Sequence, residues 1–333
     1  MRLVWTVRDL ALREPLRISR SVMAARQAVE LTLEHSGRLG HGEVVTSVFF
    51  GLDVAGIDAE LRAWRPVVEA AARPEDLLDR LPGPAGVRAG ADAAVHDLLG
   101  KLAGKPVHEL LGVPSADTPT AFTIGMVDPR SAAERVRELV GRGFSVFKVK
   151  MGDADDLARI TAVRRAAPGA RLLVDPNGAW TPEGTVRFLE AAAPARVEAV
   201  EQPIAPGTPD RLAWISARVE APLIADEDAN TLADVRGLAG AVAGVNIKLA
   251  KCGGVRAALE IAEAARAAGM EVMLGCLVAS SLGIAPAAHL AGLARWVDLD
   301  GHLLLAADPW SGIGGGDGVL RLAARPGLGV VRR

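Results

Sequence analysis

Sulfur and imidazole are scarce in this sequence. Of 333 residues only two are cysteine, Cys252 and Cys276, and six are histidine. There is no CxxC spacing and no pair of histidines at i and i+4, so a disulfide framework, a thiolate zinc site and a helical His-x3-His motif are all excluded. Any metal here must be held by oxygen. An excess of charge of one sign is also missing, since 38 Lys and Arg stand against 40 Asp and Glu for a formal net charge of −2. That leaves no basic stripe for nucleic acid and no polybasic patch for a membrane, and points to small-molecule partners. The opening "MRLVWTVRDLALREPL" carries charges throughout and has no apolar core or cleavage site, so no targeting signal is read there, and with so few cysteines a cytoplasmic setting is expected. Only residues 272 to 294 lack Asp, Glu, Lys and Arg for long enough to span a bilayer, and Gly275, Ser280, Ser281, Gly283 and Pro286 punctuate them as a strand, a turn and a buried helix instead.

Half of the residues are hydrophobic, enough for a substantial core. In the first third, residues 2 to 12, 27 to 37 and 41 to 45 alternate like antiparallel strands, 59 to 72 have helical spacing, and 89 to 112 read as two helices broken at Gly104 and Pro106, an α+β pattern. From about residue 119 the texture becomes apolar strand, turn and Ala/Arg/Glu-rich helix, repeated. The strands are expected at 120 to 126, 145 to 152, 171 to 178, 197 to 204, 222 to 228, 244 to 253, 271 to 278 and 296 to 301. Such a repeat points to a parallel β/α barrel, with an open doubly wound sheet as the alternative. Residues 310 to 320, "WSGIGGGDGVL", read as a glycine-rich turn, because no helix follows to make a phosphate loop.

In "SVFKVKMG" (145 to 152), Lys148 and Lys150 stand two apart in an apolar run, so strand geometry aims both ammonium groups the same way. Other strands also end in polar residues: Asp175 and Asn177, Glu201, Asp226 with Glu227 and Asp228, Lys248 and Lys251, Asp298 and Asp300. Each has an ordinary reading as a turn, cap or solvated loop residue. Yet Asp175, Glu201 and Asp226 end successive strands at spacings of 26 (175 to 201) and 25 (201 to 226), and three converging carboxylates without His or Cys describe a hard-cation site, best suited to Mg²⁺. Lys148 and Lys150 would approach it from one side and Lys248 from the other, their pKa values lowered by the metal and by each other. With an acidified α-proton between two lysines, the chemistry is a 1,1-proton transfer through an enediolate.

"KVK" (148 to 150), "DPN" (175 to 177), "EQP" (201 to 203), "ADED" (225 to 228) and "NIKLAKCGG" (246 to 254) together resemble the enolase superfamily, most closely its muconate-lactonizing subgroup. Residues 92 to 112 are similar to the family's capping-domain helices. The resemblance implies an α+β capping domain (1–115), a (β/α)7β modified TIM barrel (116–309) and a C-terminal segment returning to the cap (310–333). It implies Mg²⁺ on Asp175, Glu201 and Asp226, acid/base roles for Lys150 and Lys248, a substrate carboxylate on Lys148, and support from Asn177 and Glu227, with Lys251 structural.

"VDLDG" (297 to 301) resembles the dipeptide epimerases, where an Asp-x-Asp pair binds the substrate's N-terminal ammonium. Asp298 and Asp300 share a strand face, and a cation is their natural partner; the ordinary alternative is an ion pair with Arg295. The expected activity is therefore epimerisation of a dipeptide at its C-terminal α-carbon, L-Ala-D/L-Glu being the family's common substrate. N-acylamino acid racemisation, o-succinylbenzoate synthesis and muconate-type cycloisomerisation are alternatives on the same scaffold, and a non-catalytic ligand-binding barrel is a remote one. The loop 14 to 22, with Arg20 and Arg17, is expected to close over the site and offer Arg20 to an acidic side chain. Ala279 stands where many relatives carry a carboxylate, which leaves hydrophobic or cationic dipeptides open. A homo-oligomer is expected from the long apolar helices.

Overall fold

The computed structural model describes residues 1–333. Its N-terminal part is an antiparallel sheet of β1 (Arg2–Ile18), β2 (Ser21–His35) and β3 (Arg38–Val45), ordered β1-β2-β3. It packs on α1 (Val54–Ala70) and α2 (Ala85–Ala103), and α3 (Val107–Leu111) follows. α2 ends where the sequence puts a break, with Gly104 in the left-handed region at φ 69° and Pro106 two residues on. Residues 14 to 22, expected as a loop, form the paired tip of the β1–β2 hairpin, since Leu16, Arg17 and Ile18 pair with Met23, Val22 and Ser21 after a register shift beyond Ala11.

After β4 (Thr118–Pro119), eight parallel strands run in chain order: β5 (Phe122–Ile124), β6 (Val146–Lys150), β7 (Arg171–Asp175), β8 (Ala199–Glu201), β9 (Leu223–Ala225), β10 (Gly244–Ile247), β11 (Glu271–Gly275) and β12 (Trp296–Asp298). All eight fall inside the expected segments. Between them lie α4 (Pro129–Gly141), α5 (Asp156–Ala166), α6 (Pro182–Ala191), α7 (Pro209–Ser216), α8 (Leu232–Gly237), α9 (Leu249–Cys252), α10 (Val255–Ala267) and α11 (Ser281–Ala288). The first and last strands meet, because Ala121 N–H donates to Val297 O (2.8 Å) and Leu299 N–H to Thr120 Oγ1 (2.9 Å). The sheet curls into a barrel, not the open alternative. The uncharged stretch 272 to 294 is β11, a turn and α11, as read, and no helix is long and apolar enough to cross a membrane.

Period-two alternation sorts the strand side chains. Outward residues such as Phe147, Val149, Leu172 and Val174 join the helices in the large core. Inward residues Ala121, Val146, Leu173, Ala199, Ile224, Met273 and Trp296 make a separate apolar plug inside the barrel. The final segment, β13 (Trp310–Ser311), β14 (Val319–Leu320) and β15 (Val331–Arg332), pairs β13 with β15 and β14 with β4. It also touches the N-terminal part: Trp310 Nε1 donates to Glu30 (3.0 Å), and Leu328 N–H to Asp97 (2.8 Å).

Candidate active site

One step of two residues above the plug, the same inward positions carry Lys148, Asp175, Glu201, Asp226, Asn246 and Asp298, with Lys150, Lys248 and Asp300 a further step up. This end of a barrel, where the strands finish and loops begin, is where such folds place their chemistry. Lys150 and Asp175 are directly paired across β6 and β7. A cavity of about 560 Å³ opens over them, lined from below by Lys148, Lys150, Asp226, Lys248, Asp298 and Asp300, and from above by the β1–β2 tip and residues 46 to 54.

Lys148 is the hub. Its ammonium is buried and lies 2.6 Å from Glu201 Oε2, 2.8 Å from Asp298 Oδ2 and 3.1 Å from Asp175 Oδ2. Lys150 Nζ donates to Asp175 Oδ2 (2.5 Å) and Asn177 Oδ1 (3.2 Å). Across the cavity, Lys248 Nζ donates to Asp226 Oδ2 (2.5 Å) and lies 3.9 Å from Glu201. Gly275 makes room for it, since a Cβ there would come within 2.5 Å of Asn246 Oδ1 and 2.9 Å of Lys248 Cε. With no metal ion among them, Lys148 and Lys248 move the opposite way from the depression expected beside Mg²⁺. Burial opposes their charge, but Asp298, Glu201 and Asp175 hold Lys148 well above the usual amine range, and Asp226 and Glu201 raise Lys248 as well. Carboxylates outweigh the repulsion between ammonium groups.

The carboxylates divide. Burial works against the Asp175 charge, yet Lys150 and Lys148 hold its carboxyl down at about 2, and Lys248 and Lys251 do the same more strongly for Asp226. Burial and the neighbouring Asp175 push Glu201 up to about 7, and its Oε2, although close to Lys148, has no hydrogen-bond partner. In the arrangement seen here, no three His, Cys, Asp or Glu side chains gather tightly enough to ligate one ion, because lysines stand between them. The donor chemistry still fits a hard divalent cation: three buried carboxylates end adjacent strands, their charges are met here only by lysine ammonium groups, and sulfur and imidazole donors are absent from the set.

Sequence reasoning missed two supports and gave no partner for a third. Gln202, at φ 34°, accepts N–H bonds from Asp226 (2.9 Å) and Asp228 (3.3 Å), tying β8 to the β9 carboxylates. Asn246 Nδ2 donates to Glu201 Oε1 (2.9 Å). Lys251, expected to be structural, is buried and clamps Asp226 through both Oδ1 (2.6 Å) and the carbonyl (2.5 Å). The "EQP" and "NIK" motifs carried a signal for the first two; Lys251 sits on a short helix whose return to β9 no spacing reveals. Asn177, at φ 49°, donates its N–H to Asp175 Oδ1 (2.8 Å).

Around the rim, Asp298 is neutralised by Lys148, not by Arg295, which stacks on Trp296 and pairs with Glu271. Its Oδ1 remains buried without a partner. Asp300 accepts the Thr123 N–H (2.6 Å), and burial together with Asp298 pushes its carboxyl up to about 7. Arg20, at the hairpin turn, donates to Glu227 Oε1 (2.6 Å) and lies over the Phe49 ring at 4.3 Å. Arg17 is exposed and does not line the cavity.

With the geometry in place, comparison with known proteins becomes specific. Residues 131–332 match the family described as Enolase C-terminal domain-like. A hydrophobic dipeptide epimerase of Roseobacter litoralis is 34% identical over 96% of this chain and 95% of its own. An N-acetyl-D-glutamate racemase of Pseudoalteromonas is 38% identical over 70% of this chain and 72% of its own. The crystal structure of an Enterococcus faecalis dipeptide epimerase complexed with Mg and L-Leu-L-Tyr superposes with a TM-score of 0.94, at 29% identity over 99% of each chain.

Proposed function

This chain belongs to the enolase C-terminal domain-like family of the enolase superfamily, and from that membership we propose that it is a dipeptide epimerase working by proton transfer between two lysines. The observation that carries the reading is that Lys150, on Asp175, and Lys248, on Asp226, project from β6 and β10 into one cavity. An α-carbon placed between them presents its proton to one amine while the other ammonium faces the opposite side. The neutral lysine takes the α-proton, leaving a planar carbanion delocalised into the adjoining carboxylate. The second lysine returns a proton to the other face and ends neutral, so one event inverts the centre and exchanges the protonation states of the two amines. Asn177 holds Lys150 through its Oδ1, and Lys148 is placed to meet the substrate carboxylate.

Mg²⁺ held by Asp175, Glu201 and Asp226 would supply positive charge that acidifies the α-proton and offsets the negative charge left when a lysine becomes a neutral base. The unpartnered Oδ1 of Asp298, with Asp300 beside it, supports recognition of a substrate ammonium. Arg20 borders the same cavity with its charge already engaged by Glu227, and Val22, Met23, Val48 and Phe49 line the wall beside it. That wall favours apolar dipeptides over acidic ones, in keeping with the hydrophobic dipeptide epimerase among the relatives. The reading extends to a capping domain at 1–115, a barrel at 116–309 and a returning segment at 310–333, and to a cytoplasmic homo-oligomer.

A second reading is N-acylamino acid racemisation, favoured by the neutralisation of Asp298 by Lys148, which removes the strict need for a substrate cation. One experiment separates them. In D₂O with Mg²⁺, L,L-dipeptides and N-acyl amino acids are followed by mass spectrometry for α-deuterium and by chiral chromatography for inversion. Labelling with inversion of apolar dipeptides is expected. Reaction of the acyl amino acids alone would transfer the assignment to the second reading.

A further inference from the structure

The wall of the cavity formed by Cys276, Leu277 and Val278 belongs to the connection from β11 to α11, and just beyond it, at Ser280, one carboxylate of the cap takes two hydrogen bonds. Glu43, inward on β3, accepts the Ser280 N–H at Oε1 (2.9 Å) and the Ser280 hydroxyl at Oε2 (2.5 Å). Two residues beyond Glu43, β3 ends and gives way to residues 46 to 54, which line the same cavity. We propose that Glu43 is a positioning residue for substrate binding: its two bonds to Ser280 lock the barrel wall at 276 to 278 to the cap segment that faces it, and so set the width of the cavity. This rests on the cavity being the substrate site, as argued above.

Three features support it. Glu43 and Ser280 are both buried, so the pairing has no competition from bulk water. Packing behind the wall is thin, for a second cavity of about 60 Å³ is lined by Glu43, Lys248, Cys276 and Leu277. The contact is also fitted closely: at Gly283 of α11, a Cβ would come within 2.5 Å of Glu43 Oε1. The neighbouring acids are engaged elsewhere, Glu30 by Arg8, Arg332 and Trp310, and Asp308 by Ser281 and the Trp310 N–H. Burial, first, and then Glu30 and Asp308 push the Glu43 carboxyl up to about 7 against both Ser280 bonds.

The test compares E43A and E43Q with the parent protein in Mg²⁺, on the most active compound of the D₂O panel. Peptide-level hydrogen exchange across 276 to 282 is measured alongside. Loss of two buried hydrogen bonds in E43A is expected to raise KM about tenfold with kcat within about twofold, and to speed exchange in that segment. E43Q, whose amide can accept from the Ser280 N–H and donate to its hydroxyl, is expected to recover most of both. A fall in kcat at unchanged KM, an unchanged KM, or E43Q as impaired as E43A would overturn the proposal. If E43A does not fold, G283A displaces the same carboxylate from the barrel side, and an unchanged KM there overturns it equally. The exchange measurement needs no substrate. Should the parent turn over nothing in the panel, the proposed activity fails by itself, and equal exchange in parent and E43A overturns the lock independently.

Discussion

Two layers of the barrel interior lie one inward step apart on the same strands and differ in almost everything else. The lower layer, Val146, Leu173, Ala199, Ile224, Met273 and Trp296, is apolar and fully packed. The upper, reached by adding two to six of those numbers, is Lys148, Asp175, Glu201, Asp226, Gly275 and Asp298. The backbone is common to both, so the contrast isolates side-chain chemistry. Burial stabilises the lower layer directly. The upper layer loses hydration on burial and recovers it only through mutual pairing, a balance that rarely favours stability over an apolar substitute. Charge at the upper level is therefore retained for chemistry, and the two layers should fail in different ways.

The largest separation is expected for the lysines. Replacing Lys150 or Lys248 with alanine should lower epimerisation by about a thousandfold, the usual range for loss of a positioned acid or base. Because the remaining lysine still faces one side of the α-carbon, each variant should exchange the α-proton of one epimer with D₂O without inverting it, and the two variants should differ in which epimer is labelled. Nuclear magnetic resonance of each pure epimer decides this. Inversion surviving in either variant, or both variants labelling the same epimer, would remove the two-sided arrangement.

The lower layer should behave in the opposite sense. Trp296 is fully buried, packs against Gly244, and donates Nε1 to Glu198 (2.8 Å). Trp296→Ala should cost about 3–5 kcal/mol in denaturant unfolding while the folded protein keeps kcat within a few-fold. An equally large loss of kcat at unchanged stability would mean that the two layers are not separable.

How much of this could be read in advance follows the same division. Strand order and the inward carboxylates were legible because period two is a local property: "KVK", "DPN" and "EQP" place side chains without knowledge of the rest of the fold. What depends on long-range approach was not. That Lys148 would settle among Asp175, Glu201 and Asp298, whose carboxylates raise its pKa when no metal stands between them, needs β6, β7, β8 and β12 to be brought together. The hairpin at 14 to 22 was hidden by Pro15 and by the register shift beside it.

A finer contrast remains between Asp175 in the upper layer and Asp300 one step above it, and it carries the smallest expected effect. Lys150 and Lys148 hold Asp175 at about 2 despite its burial, so its ionised form stabilises the fold above the ordinary carboxylate pKa, and that contribution is lost as pH falls from about 4 toward 2. Burial and Asp298 hold Asp300 at about 7, so the folded chain keeps a proton that the unfolded chain has released. Its contribution is complete below about pH 4 and is lost as pH rises toward 7. In metal-free protein, Asp300→Asn should therefore flatten the fall in unfolding free energy between pH 4 and 7 by on the order of 1–2 kcal/mol, after allowance for relaxation of the interior. Asp175→Asn should flatten the acid limb below pH 4, which Asp300→Asn leaves as it is, and should touch the window between pH 4 and 7 only secondarily, by relieving the neighbouring Glu201. Urea titrations across the pH range measure both slopes, and an acid limb unchanged in Asp175→Asn would show that pairing with lysine does not divide these carboxylates.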